Sequence, residues 1–277
     1  LGALRVCLPH LRGSGRARVR GPGRLASADV TDPLAPLAAL PGVAEAADEA
    51  RAALGRAHRH RANLRGWPAN AAEAAVRAAR ASSVLDGGSL QLSESGTPDP
   101  VLAGALRVAE VLEGGAGTLV GVWQRAPLQA IARLHTLAAA DLTDADHLGR
   151  PRADDEVSGR LALLAELVTG GTRVAAPVLA AVVHGELLTL APFGTADGVV
   201  ARAVSRLVTI TSGLDPHGLG VPEMYCMRQS GEYRGAARGF ASGTPDGLAA
   251  WIITCCRGLT AGAEEALAIA QRSSGKA

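Results

Sequence analysis

Aromatic residues are scarce in this chain: Phe, Tyr and Trp together make up only 3% of its 277 residues. Hydrophobic residues still account for 48% of the sequence, so Ala, Val and Leu have to supply most of the core. Small aliphatic side chains fill a core at normal density only where the elements that carry them lie close together. The composition therefore favours tightly packed helices and excludes a core organised around large aromatic clusters.

Lysine is almost absent, since Lys276 is the single lysine among 28 basic residues, a bias typical of a GC-rich genome. The net charge is +2, but residues 1–24 hold six arginines and no acid, which leaves 22 basic against 26 acidic residues in the remainder. A nucleic acid or a membrane surface would require a basic face on the folded part, and the sequence indicates none. We interpret the polar, glycine-rich residues 1–27 as a disordered basic arm or an over-extended start.

Cysteine is infrequent as well, and the four cysteines show no CxxC spacing, so we expect reduced thiols and a cytoplasmic protein. They are Cys7, Cys226, Cys255 and Cys256. No apolar run approaches the roughly 18–20 residues that span a bilayer, and no membrane partner is expected. The stretch HRH at residues 58–60 raises the question of a metal. We interpret it as a solvated helix face without a carboxylate partner and predict no metal site.

Helical periodicity dominates the rest of the chain. It predicts a helix from about Val43, another that Asn70 caps, and seven further helices. Residues 143–159 form the longest polar stretch and are predicted to be a loop. The fold class is therefore all-α, with a short β-hairpin as the only addition we consider. The further helices cover residues 100–113, 126–140, 157–168, 174–190, 197–212, 230–240 and 245–271.

One glycine-containing turn, APFGTADG at residues 191–198, joins two of these helices. Backbone N–H groups of such a turn, together with the positive end of the next helix, can hold an anion such as phosphate. An ordinary helix–helix turn that binds nothing is the alternative.

The same stretch resembles the signature of the Fic (Fido) domain family, HPFx[DE]GNGRxxR. Pro192, Phe193, Gly198 and Arg202 match that signature without gaps. The resemblance covers residues 30–265 and is closest in character to divergent Fic-like proteins of high-GC bacteria. It implies a Fic-like helical bundle. The flanking stretches IARLHTL (131–137), VVHGELLTL (182–190) and SGEYRGAARGFASGTPDGLAAWI (230–252) resemble family helices in the expected order.

A second stretch, SSVLDG, resembles the inhibitory motif [ST]xxxE[GN] that some Fic proteins carry ahead of the core. Ser82 and Gly87 match that motif, and Asp86 replaces its glutamate. The resemblance implies that Asp86 pairs with Arg202. The alternative is that Asp86 only ends a helix in a DGG turn.

Fic enzymes move AMP or a related group from a nucleotide to a target hydroxyl, and the residues that the family uses for this are missing here. Ala191 stands at the position of the catalytic histidine, and Thr195 at that of the metal-binding acid. Ala196 and Asp197 replace glycine and asparagine, and Val199 replaces the first arginine. We therefore predict no catalytic residue in this set.

Asp197 and His184 are the two other candidates for the missing metal ligand and the missing base. Asp197 can be read as a metal ligand or as a helix cap. His184 precedes Ala191 by two helical turns, about 10 Å along the axis, and is too distant to act as its base.

The sequence thus predicts a Fic-like pseudoenzyme that acts as a non-catalytic interaction or regulatory protein. An AMP transferase with weak or altered activity and a sensor of nucleotide or phosphate are the alternatives, and ATP with Mg²⁺ is expected only with residual activity. The expected partners are an unidentified protein, a nucleotide, or a second copy of the chain. We divide the chain into the arm at 1–27, a helical region with the inhibitory-like segment at 28–115, and the core at 116–277. The candidates for anion or nucleotide binding are Phe193, Gly194, Asp197, Gly198 and Arg202.

Overall fold

The computed structural model describes residues 32–90, 99–113 and 118–274. Those ranges contain twelve α-helices, a 3₁₀ turn at Ala145–His147 and a π-helical turn at Leu167–Gly171. The helices are α1 Ala35–Ala38, α2 Val43–Arg59, α3 Arg61–Leu85, α4 Pro100–Leu112, α5 Thr118–Arg125, α6 Pro127–Ala138, α7 Asp155–Glu166, α8 Ala176–Leu190, α9 Asp197–Thr211, α10 Pro222–Arg228, α11 Ser230–Ser242 and α12 Pro245–Ser274.

Prolines set the start of several helices. Pro100, Pro127, Pro177 and Pro222 all lie in the first two positions of the helix that contains them. The first N–H groups of a helix have no partner inside it, so proline removes no hydrogen bond there, and its fixed φ suits the helix.

Helix α8 occupies the centre of the bundle. It is apolar around its whole circumference, which is typical of a helix that other helices surround. Helix α9 packs beside α8, and the long α12 packs against α2, α3, α8, α10 and α11. Trp251 of α12 is fully buried and donates its indole N–H to the carbonyl of Ala181 at 2.8 Å. The turn between α8 and α9 therefore has a rigid base.

Close backbone approaches replace the missing aromatic volume. A Cβ atom on Gly104 of α4 would lie 2.0 Å from the carbonyl oxygen of Ala138 at the end of α6. A Cβ atom on Gly247 of α12 would lie 2.2 Å from the carbonyl oxygen of Gly239 of α11. These helices can touch only because glycine has no side chain at the contact.

The structure confirms the all-α class, and it also corrects several expectations. The described residues contain no strand, so the short hairpin is absent from them. Asn70 caps no helix: it lies inside α3, is buried, and donates to Asn63 Oδ1 at 2.7 Å. The helix begins earlier than expected, at Arg61, and includes Pro68; its cap is His60, whose side chain accepts from the N–H of Ala62.

Two short helices, α5 and α10, were not predicted, because each is only seven or eight residues long. The interpretation of HRH was wrong for His58, whose Nε2 lies 2.8 Å from Oδ1 of the buried Asp215. Periodicity could not reveal this carboxylate, which follows in the chain 157 residues later.

Part of the sequence-based division lies outside the structure. The arm at 1–27 and Cys7 fall outside the described residues, and the division between 28–115 and 116–277 stays a prediction. In the three described ranges, no helix is both long enough and apolar enough to cross a bilayer. Cys226, Cys255 and Cys256 are free thiols.

We expect Gly104→Ala to lower the free energy of unfolding by about 1–3 kcal/mol, because the added methyl group forces α4 away from α6. Gly159→Ala is the matched control: it lies on the exposed side of α7 and nothing comes within 4 Å of its added Cβ. That control should be neutral or stabilising by about 0.5–1 kcal/mol. Urea denaturation followed by circular dichroism measures both. Equal effects of the two substitutions would contradict the close approach.

Candidate functional site

The turn between α8 and α9 is built from two alanines in an unusual conformation. Ala191 ends α8 with φ +43°, and Ala196 precedes α9 with φ +52°; both are left-handed. An L-residue other than Gly, Asn or Asp rarely adopts this conformation, which costs roughly 1–2 kcal/mol per residue. The turn therefore has two strained positions, one at each of its ends.

Asp197 occupies the backbone donors of this turn. Its carboxylate accepts from the N–H of Phe193 at 3.0 Å and from the N–H of Gly194 at 2.7 Å. Burial raises the pKa of Asp197 and the nearby Asp86 raises it further, while the two amides and Arg152 act in the opposite direction. The N–H groups that a phosphate would need are already bound to a carboxylate of the same chain.

Asp86 reaches the same helix terminus from α3. Its Oδ2 accepts from the N–H of Val199 at 2.9 Å, and its Oδ1 accepts from Nη2 of Arg202 at 2.8 Å. A Cβ atom on Gly198 would lie 2.3 Å from Oδ1 of Asp86, so only glycine at 198 permits this approach. The contact between Asp86 and Arg202, which the SSVLDG stretch led us to expect, is present and needs no bridging water.

Arg202 is buried, with 4% of its surface exposed, and its guanidinium has four acceptors. Nε donates to the hydroxyl of Ser82 at 2.8 Å, and Nη2 donates to the carbonyl of Ser82 at 3.0 Å as well as to Asp86. Nη1 lies 3.5 Å from the Tyr233 hydroxyl. Gly87 contributes no contact here: it ends α3 with φ +86°, and nothing lies within 4 Å of where its Cβ would be.

Tyr233 extends this network to His184 in the middle of α8. The tyrosine hydroxyl lies 2.9 Å from Nε2 of His184. Burial and the charge of Arg202 lower the pKa of His184 to about 3, so the imidazole is neutral near pH 7. On its other side, the Tyr233 hydroxyl accepts from Arg202. His184 is a hydrogen-bonded core residue that does not face the turn.

Sequence reasoning missed two residues that hold the turn in place. Arg152 donates from its side chain to the carbonyls of Leu190 and Ala191, at 3.0 and 3.2 Å, and from its backbone to Pro192 at 2.8 Å. Arg152 lies in the polar stretch 143–159, where no periodicity marks it. His135 stacks on Phe193 with ring centroids 4.0 Å apart. The stretch IARLHTL predicted the helix that carries His135 but not this contact.

Known proteins resemble this chain in its fold. No family model and no curated protein matches the chain. The crystal structure of a Fic family protein from Desulfovibrio desulfuricans G20 matches it with a TM-score of 0.63, over 82% of this chain and 74% of that chain. The chain has a Fic-like fold. The identity over the match is 16%, so the likeness concerns the fold alone.

The N-terminus of α9 is surrounded by acidic side chains. Two carboxylates, Asp86 and Asp197, take the positions near its positive end, which favours negative charge. Among the described residues, no group of three His, Cys, Asp or Glu side chains could hold a metal ion. The geometry gives a self-saturated anion site, in the sense that carboxylates of the chain bind the N–H groups of Phe193, Gly194 and Val199.

We expect Asp86→Asn and Arg202→Met each to lower the free energy of unfolding by about 1–3 kcal/mol, because each leaves buried groups without their partners. The double variant should lose less than the sum, with a coupling energy of about 0.5–3 kcal/mol. The exposed pair Arg107 and Asp141, with side chains 34% and 48% exposed, is the control and should couple by less than about 1 kcal/mol. Denaturant titrations of all variants measure the two cycles, and additive effects at Asp86 and Arg202 would contradict a joint role.

Proposed function

We propose that this chain is a Fic-fold protein without transferase chemistry, which acts as a non-catalytic interaction or regulatory protein. The observation that carries the proposal is the position of the Asp197 carboxylate on the N–H groups of Phe193 and Gly194. A nucleotide phosphate would have to displace this carboxylate and would meet the like charge of Asp86 beside it.

The residues of the turn support the same conclusion. The resemblance to the Fic signature assigns a base to the position of Ala191, a metal ligand to that of Thr195 and a phosphate-binding arginine to that of Val199. A methyl or isopropyl group cannot transfer a proton or bind a phosphate, and loss of a general base alone typically costs about 10²–10⁴ in rate. The neutral hydroxyl of Thr195 is also a weaker ligand for Mg²⁺ than a carboxylate.

The residues present do not fit a nucleotide with its Mg²⁺. The N–H groups of Phe193, Gly194 and Val199 are bound by carboxylates, and these two carboxylates stand where phosphates would need positive charge. The two cavities that adjoin Arg202 measure only about 40 and 30 Å³, enough for one or two water molecules. Binding sites for small molecules usually measure about 300–1,000 Å³. We derive no transfer step through this site.

The alternatives are a transferase with weak activity and a sensor of nucleotide or phosphate. Ala191 and Val199 argue against the first, because the chemistry would lack both a base and a phosphate ligand. The bonds of Asp197 argue against the second. The cytoplasmic location, the protein partner and a homodimer stay predictions.

We expect no AMP transfer by the unmodified protein to itself or to proteins of a bacterial lysate, measured with labelled ATP and Mg²⁺. Ala191→His alone should also be inactive, because it supplies a base without a metal site or a phosphate ligand. The combination of Ala191→His, Thr195→Asp, Ala196→Gly, Asp197→Asn and Val199→Arg is the fair test of whether the fold still supports transfer. Transfer by the unmodified protein would overturn the proposal outright.

A thermal-shift titration separates the sensor from the interaction protein. We expect ATP with Mg²⁺ to leave the Tm of the unmodified protein unchanged, whereas a ligand at 100 times its Kd would add about 2.7 kcal/mol. Asp197→Asn is the matched variant, since it removes the charge but keeps the size of the side chain. A rise in the Tm of the unmodified protein with ATP would favour the sensor and contradict the self-saturated site.

A further inference from the structure

A second cleft lies at the corner where α2 meets α3, independent of the turn between α8 and α9. It is open to solvent and measures about 400 Å³, within the usual range for a small-molecule site. Its lining combines the end of α2, the start of α3 and residues 213–217, which follow α9. The function proposed above makes no use of it.

The apolar side of this cleft is aromatic, in a chain that has few aromatic residues. Trp67 and His217 stack with ring centroids 4.1 Å apart and ring planes 10° from parallel. Leu64, 64% exposed, extends the apolar surface at the rim. Stacked rings form a rigid, flat wall, which suits a planar ligand at little cost in side-chain entropy.

On the polar side of the cleft, the buried Asp215 holds the side chain of His58. Asp215 is buried and accepts from the N–H groups of Leu219 and Gly220, at 2.9 and 2.8 Å. Its third contact, with Nε2 of His58 at 2.8 Å, fixes the orientation of that imidazole in the cleft lining. Burial alone would raise the pKa of Asp215, but the hydrogen bond and charge of His58 and the charge of Arg206 lower it. Asp215, which supports His58 from beneath the lining, is therefore paired with its own donors, and the residues that line the cleft include no acid.

Positive charge in the cleft has no such compensation. Residues 55–67 hold four arginines and no acid, and none of the four has an ion-pair partner among the described residues. Arg59 is the one that lines the cleft. A Cβ atom on Gly55 would lie 3.1 Å from Nη1 of Arg59, so a side chain at position 55 would crowd the guanidinium. A free guanidinium beside an aromatic wall recognises a carboxylate on a flat apolar body.

We propose that this cleft binds a small aromatic carboxylic acid, with its ring against Trp67 and its carboxylate on Arg59. The volume of about 400 Å³ suits one small molecule. Because Asp215 is paired with its own donors, Arg59 is left to select an anion over a neutral or cationic ligand.

Titration of the full chain with benzoate tests this directly, because Trp67 reports on the cleft. Trp123 and Trp251 are buried, with 3% and 0% exposed, whereas Trp67 is partly exposed, so a ligand in the cleft changes mainly its fluorescence. We expect a saturable change with benzoate and at least about tenfold weaker binding of the neutral benzamide. Cyclohexanecarboxylate, which keeps the charge but is not planar, should also bind more weakly.

Arg59→Gln should weaken benzoate binding at least about tenfold, whereas Arg56→Gln should leave it unchanged. Both arginines are exposed on α2, and only Arg59 lines the cleft, so the second variant is the matched control. Circular dichroism melts confirm that both variants fold, and calorimetry on the unmodified chain measures binding independently of fluorescence. The proposal fails if benzoate gives neither a saturable signal nor heat, if benzamide binds equally well, or if the two arginine variants behave alike.

Discussion

The burial of one guanidinium, that of Arg202, organises this end of the bundle. A charge removed from water has to be hydrogen-bonded and paired, or it destabilises the fold by several kcal/mol. Ser82 and Asp86 of α3 and Tyr233 of α11 together meet that requirement. Because Tyr233 also contacts His184, the charge on α9 fixes α3 and α11 relative to the central helix α8.

The same arrangement explains how side chains of the chain itself stabilise the start of α9. The positive end of α9 needs acceptors for its free N–H groups, and Asp86 provides one at Val199. Asp197 turns back to the preceding residues and stabilises a turn that contains two left-handed alanines. Arg152 donates to the carbonyl groups at the end of α8. Backbone groups at both ends of the turn are therefore bound by side chains. The turn thus takes its shape from contacts with the side chains of Asp197 and Arg152.

Much of the fold was predictable from the sequence, because the helices are long and their apolar faces repeat regularly. The bounds expected for α4, α8 and α9 lie within two residues of those found. The contact of Asp86 with Arg202 was accessible only through a short motif, since the two residues are 116 positions apart. The bonds of Asp197 and Arg152 and the pairing of His58 with Asp215 were not predictable. They depend on how the helices and turns are oriented in space, which periodicity does not encode.

Asp86 and Asp197 differ in how far along the chain they lie from the amides that they bind. Asp86 belongs to another helix, so a signal that moved the end of α3 could free Arg202 and the N–H of Val199. Asp197 lies only three and four residues from the amides it binds and would remain in place during such a movement. A conformational change can therefore release the first carboxylate but not the second. After such a movement the N–H groups of Phe193 and Gly194 would still be bound to Asp197.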